Sequence, residues 1–158
     1  MRFIGLIAVL VVAASIATAS AQTQSRGGHD GKPTSLELTY TKWFAPDYPN
    51  MVGRVGGDIV GTFGGAVLER TITFPSAHIT AVYVVIAPDP AQSFTAHLEG
   101  GYANLATGEA VLDGRVVDGW LKKAKVHVEF KNISCAEAAS GMCFQGTISV
   151  DRSRKSDD

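Results

Sequence analysis

Apolar and polar residues alternate along most of this chain with a period of two, the repeat of strands that bury one face. Leu36, Leu38 and Tyr40 alternate with Glu37, Thr39 and Thr41, and Phe94, Ala96 and Leu98 with Ser93, Thr95, His97 and Glu99. Phe144, Gly146, Ile148 and Val150 stand opposite Gln145, Thr147 and Ser149. The run HITAVYVVIA, bounded by Pro75 and Pro88, is apolar on both faces and reads as a central strand. Within it His78 and Tyr83 fall on opposite faces, each read as packed or hydrogen-bonded. A turn follows at Pro88-Asp89-Pro90. No stretch shows sustained helical periodicity, apart from one turn's worth at 136–139, and no repeat of fixed period is visible.

The segment GEAVLDGRVVDGWLKKAKVHVEF is expected to form a hairpin. A two-residue turn at Asp118-Gly119 would set Leu112 against Lys125 and Ala110 against His127, mixing polar with apolar. A three-residue loop near Lys122 and Lys123 instead puts Val116 beside Val128 or Phe130. That register gathers Leu112, Val116, Val126, Val128 and Phe130 on one buried face, with Lys125, His127 and Glu129 beside Glu109, Asp113 and Arg115 on the other.

Two stretches break the alternation. WFAPDYPNM, residues 43–51, carries two prolines that forbid a central strand. It is expected to be an aromatic loop or plug packed across one end of the sheet, with Trp43, Phe44 and Tyr48 as possible ligand contacts. Next, glycines at 53, 56, 57, 61, 64 and 65 interrupt strand-like sequence that resumes through Val67 to Phe74. Such glycines mark the bulges and bends a sheet needs to curl and close. They match neither GxGxxG nor GxxxxGK[ST], so no phosphate loop is expected. The expected fold is all-β: a single antiparallel β-barrel of about seven to eight strands.

Composition sets the compartment. Residues 1–21 have one charge at Arg2, an apolar run from Phe3 to Ala17 and a small-residue site, Ala19-Ser20-Ala21. This is the pattern of a cleavable signal peptide, with cleavage expected after Ala21 and a secreted or periplasmic product. The apolar run is shorter than a bilayer requires, and no later segment is apolar enough for a spanning helix. Removing Arg2 leaves 13 basic against 15 acidic residues, a net −2, which gives nucleic acid and anionic lipid no basic face. Residues 22–34 read as a flexible leader holding a solvated His29, residues 35–150 as the barrel domain and residues 151–158 as a disordered charged tail. Cys135 and Cys143, the only two cysteines, are expected to pair in a disulfide, since export means an oxidising environment and two cysteines alone cannot complete a metal site.

Candidate chemistry is sparse. GxSxG and HExxH are absent, as is a free thiol paired with His. His97-Leu98-Glu99 and His127-Val128-Glu129 each place an imidazole and a carboxylate on one strand face. On neighbouring strands the four could serve as an acid and base pair or hold a divalent ion. On a solvated sheet the same spacing arises by plain alternation. No metal and no cofactor is called for.

The glycine-bounded strands GGDIVGTFGGAVLERTITF, SFTAHLEGGYANLATGEAVLDGRVVDGW and KVHVEF, with the closing CFQGTISV, resemble the allene oxide cyclase and dirigent barrel group and its small bacterial relatives of unknown role. The likeness spans Val52 to Val150 and lies in strand rhythm and glycine placement. It implies an eight-stranded antiparallel barrel whose apolar lumen, in the plant members, steers cyclisation or coupling of an apolar intermediate. No catalytic residue is carried over. Two functions are therefore expected: a secreted barrel that binds a small apolar ligand or is structural, or an isomerase or cyclase-like enzyme acting on an apolar substrate inside the barrel.

Overall fold

The computed structural model describes residues 35–47 and 50–152. The expected signal peptide and leader, Tyr48 and the tail from residue 153 lie outside the described residues. Eight strands follow in order: β1 (Ser35–Phe44), β2 (Asn50–Gly57), β3 (Gly61–Thr73), β4 (Ser76–Ile86), β5 (Phe94–Tyr102), β6 (Glu109–Gly119), β7 (Lys125–Ser134) and β8 (Met142–Asp151). Each pairs antiparallel with its neighbour in sequence, and β1 also pairs with β8, which closes the barrel. Closure removes every sheet edge over the paired length, so each strand is central there. Among the described residues the only helical element is a 3₁₀ turn, Pro90–Gln92, capped by the Asp89 carboxylate that accepts from Ala91 N. β8 runs one residue beyond the expected end of the domain, to Asp151.

The two-residue period decides which side chains fill the lumen. Leu38, Ala81, Val85, Leu98, Leu112, Val128 and Ile148 point inward and are almost fully buried. The hairpins β1–β2, β3–β4, β5–β6 and β7–β8 all lie at one end of the barrel, here the hairpin end. At the other end Ile59, Ala87, Phe94 and Leu121 are buried and seal the interior.

The β6–β7 hairpin turns at 120–124, around Lys122 and Lys123, and buries Leu112, Val116, Val126, Val128 and Phe130 as expected. Its register differs in detail. Leu112 faces Val128 and Ala110 faces Phe130, while Val116 bonds to Ala124 through its N–H and to Lys123 through its carbonyl, both at 2.9 Å. Val116 therefore lies beside neither Val128 nor Phe130. The cause is Leu121, which adopts a left-handed backbone (φ 56°) and drops into the sealed end, lengthening the turn.

The aromatic segment is also corrected. Trp43 and Phe44 finish β1 and Met51 belongs to β2, so only the connection between them leaves the sheet. Pro46 falls in that connection, and Trp43, Phe44 and Met51 beside it keep the strand pairing. In β3 the bulge falls at Leu68, between Val67 and Glu69, rather than at a glycine. β2 pairs with β3 only as far as Ala66, and β3 continues with β4 as a two-stranded arm ending near Phe74.

Cys135 and Cys143 form a disulfide with Cα atoms 5.7 Å apart, inside the usual span. On the chain-entropy argument so short a loop contributes roughly 2–3 kcal/mol. Arg54 ties this loop to β2 through Glu137, with Nη2 to Oε1 at 2.6 Å, and the guanidinium holds the exposed carboxyl below its ordinary range.

Candidate functional site

The parity that sends Leu36, Leu38 and Tyr40 inward continues to the next residue of that face, Lys42. Its side chain is 3 % exposed, the only buried Lys, Arg, Asp, Glu or His among the described residues. Taking an ammonium out of water costs several kcal/mol, so its surroundings decide which form it adopts. Nζ is hydrogen-bonded to Tyr83 Oη. Five rings surround it, with centroids at 3.9 Å (Tyr83), 4.5 Å (Phe130), 5.4 Å (Tyr40), 5.6 Å (Phe63) and 5.7 Å (Phe144). No carboxylate lies within ion-pair distance among the described residues. Ring faces return about 2 kcal/mol to a desolvated cation, less than desolvation removes. Burial accordingly holds the Lys42 amine well below its ordinary range.

The rings form a packed stack. Phe63 stands 4.8 Å from Tyr83 and 5.6 Å from Tyr40, and Phe144 is 5.7 Å from Phe130. Tyr40 is buried, and its hydroxyl has no hydrogen-bond partner among the described residues. Burial, with Tyr102 nearby, pushes that phenol well above its usual range. Tyr102 donates to Asn132 Oδ1 at 3.3 Å, and burial pushes it up to about 12 despite Arg70.

Between Lys42 and the hairpin end runs a narrow apolar crevice of about 30 Å³, lined among others by Phe44, Met51, Val67, Tyr83, Tyr102 and Phe144. That is room for one water-sized group. Phe44, the last residue of β1, faces this crevice and packs edge-on against Phe144 at 5.5 Å. Trp43 points the other way, its ring 5.8 Å from the Arg54 guanidinium on the outer wall.

His97, Glu99, His127 and Glu129 are all exposed on the outside of the barrel. β6 separates their strands, so Glu99, Asp113 and His127 stand in one cross-strand row. The two pairs do not converge on a common point. Glu99 meets His78 of β4, with Oε1 to Nε2 at 3.1 Å, and His97 has no side-chain hydrogen bond or ion pair among the described residues. His127 lies between Asp113 (2.7 Å) and Glu129 (3.3 Å). The hydrogen bond to Asp113 first, then that to Glu129, raises the His127 pKa above its ordinary value.

A raised folded pKa means that the folded chain holds this proton more tightly. The stabilisation is present below the ordinary value of about 6.5, down to the carboxylate range, and is lost as pH rises through the folded pKa. Because all three side chains are largely exposed, the effect is about 0.2–1 kcal/mol. His127→Asn is therefore expected to cost stability at pH 5.5 and almost none at pH 8.5 in urea titrations. A deficit that grew with pH would contradict this arrangement.

Cys135, Glu137 and Cys143 place potential ligand atoms within 4.8 Å of one another, but both sulfurs are bonded to each other and offer no thiolate.

Lys42 and its contact with Tyr83 were not among the residues expected from the sequence to carry chemistry. The signal was available, since counting every second residue from Leu36 reaches Lys42 and then Phe44. Comparison with protein-family models, characterised proteins and solved structures found no match.

Proposed function

We propose that this barrel binds a small, mostly apolar molecule end-on, with its one polar end reaching Lys42 through the crevice at the hairpin end. The observation that carries this reading is a desolvated amine, without a carboxylate, at the inner end of an apolar crevice. A purely structural residue at that position would be better apolar, because an unpaired buried ammonium opposes folding. The free space admits only the terminal group of a ligand. Its body would lie among Phe44, Met51, Val67 and Tyr102.

Titration with the neutral apolar fluorophore N-phenyl-1-naphthylamine tests the reading. Saturable enhancement is expected for the native chain. Val67→Trp, which fills the crevice from its rim, is expected to weaken binding about tenfold or more, the loss of roughly 1.4 kcal/mol. No saturable signal, or equal affinity in the variant, contradicts end-on binding.

The proposal includes export, with the chain beginning at Gln22 after removal of the signal peptide. Intact mass and amino-terminal sequencing of the extracytoplasmic protein test it: a start at Gln22 is expected, and accumulation inside the cell with Met1 intact overturns it.

One observation favours the isomerase or cyclase-like reading that the resemblance to allene oxide cyclase and dirigent barrels implies. The unpartnered Tyr40 hydroxyl and the Lys42 amine are polar groups in an otherwise water-excluding lumen, where proton transfer to an apolar substrate needs only one or two such groups. In that version the working groups are Lys42, Tyr83 and Tyr40 rather than the outer-wall histidines.

A further inference from the structure

Resting on the reading that the crevice admits one end of a ligand, we propose that Lys42 captures small unbranched aldehydes covalently, as an imine on Nζ. Three observations converge on this chemistry. The amine is held in an apolar aromatic enclosure, with Tyr83 Oη in hydrogen-bond contact as a proton donor and acceptor. The crevice leading to it has about 30 Å³, room for one small terminal group such as CHO. The five ring faces around Nζ suit a product nitrogen that becomes a delocalised cation when protonated.

Burial keeps the amine lone pair free at lower pH than on a surface lysine, the state that condensation requires. The titratable groups around it are the phenols Tyr83 and Tyr40, with Tyr102 and Arg70 farther toward the hairpin end, and no carboxylate among the described residues is in range to hold it protonated.

The step balances without an oxidant or reductant. The Nζ lone pair forms the C–N bond as the carbonyl π pair moves to oxygen. Tyr83 Oη gives that oxygen a proton and takes one from nitrogen, leaving a neutral carbinolamine. Tyr83 Oη then gives its proton to the hydroxyl, which leaves as water while the nitrogen lone pair closes the C=N bond, and the phenolate takes back the remaining N–H proton to leave the neutral imine. Apolar walls disfavour the return of water and slow hydrolysis.

The test uses the full folded chain, hexanal as the aldehyde and cyanoborohydride to reduce imine to a stable amine at neutral pH, followed by peptide mapping. Lys42 is expected to acquire one hexyl group at least about tenfold faster than Lys122, Lys125 or Lys131, as suits an activated amine. 2-Hexanone is expected to react far more slowly there. Tyr83→Phe is expected to slow capture by about tenfold or more, the loss of its proton relay. Lys42→Arg, which has no primary amine at that position, is expected to show no hexyl group at residue 42 while Lys122, Lys125 and Lys131 react as in the native chain. If the fluorophore binds and only the surface lysines react, covalent capture is wrong and the binding reading survives. If the fluorophore does not bind and Lys42 is unmodified, both fail.

Discussion

Lys42→Met is expected to make the protein more stable by about 1–4 kcal/mol, on the scale found when buried ion pairs are replaced by apolar side chains of similar volume, since here the buried amine has no carboxylate to offset its desolvation. For a domain of this size that is a rise in melting temperature on the order of 10 °C. Met keeps the unbranched length of Lys and its sulfur packs well against ring edges, so the aromatic enclosure has no cavity to close. The Tyr83 hydroxyl does lose its partner, which returns about 1 kcal/mol of the gain; Lys42→Met with Tyr83→Phe removes that debit.

The gain should depend on pH in a defined direction. Burial lowers the folded pKa of Lys42 below its unfolded value of about 10.4. Between those two values the unfolded chain binds the extra proton, so the native protein gains stability as pH rises through that window. The advantage of Lys42→Met is therefore greatest at low pH and narrows toward pH 10. A variant less stable than the native chain at pH 6 would show Lys42 to be a structural residue.

Gly146→Ala is the second large effect, in the opposite direction. Gly146 lies in β8 between Tyr40 of β1 and Phe130 of β7. A Cβ there would stand 1.8 Å from the Glu129 carbonyl oxygen and 2.7 Å from the Phe130 Cα. Both are backbone atoms, and no side-chain rotation relieves the clash. β7 and β8 would have to separate, so a loss of about 3 kcal/mol, the upper part of the overpacking range, is expected. Gly141→Ala serves as comparison: nothing lies within 4 Å of its Cβ position, and its cost would come from its positive φ of 71° alone. Equal stability of Gly146→Ala and the native chain in urea titrations would contradict the close approach of β7 and β8.

The all-β fold was legible because most segments alternate with a period of two and no segment carries a helical repeat, whereas the bulge fell at Leu68 rather than at the glycines that were expected to mark it. The disulfide followed from two cysteines in a chain whose first residues were read as an export signal. What period alone conveys is that residues share a face, not which strands become neighbours. His97 and Glu99 share parity, yet Glu99 meets His78 because of the β4–β5 register, which no local pattern encodes. The β6–β7 turn was located, but its length depended on Leu121 entering the sealed end in a left-handed conformation that β-propensity does not anticipate.

Lys42 escaped for a different reason. A lysine in an alternating strand is ordinarily taken as outward, since burying it costs more than a break in the pattern. Strict parity from Leu36 through Phe44 puts it inside, a conflict between a local rule and the fold of the kind found at functional or strained positions. The expected aromatic loop began too early in the same place, because Trp43 and Phe44 still belong to β1 and Phe44 continues the inward face that Lys42 belongs to.

The central claim is that Lys42 holds a desolvated amine in the lumen, and the most direct measurement is its own titration, followed by the ¹³Cε shift of selectively labelled lysine with Lys42→Met used to assign the resonance. A single lysine resonance with a midpoint well below the ordinary value of about 10.4, absent from the variant, is the expected result. If Lys42 titrates at that ordinary value, its ammonium is solvated, and the crevice, the capture chemistry and the stability gain fall with it.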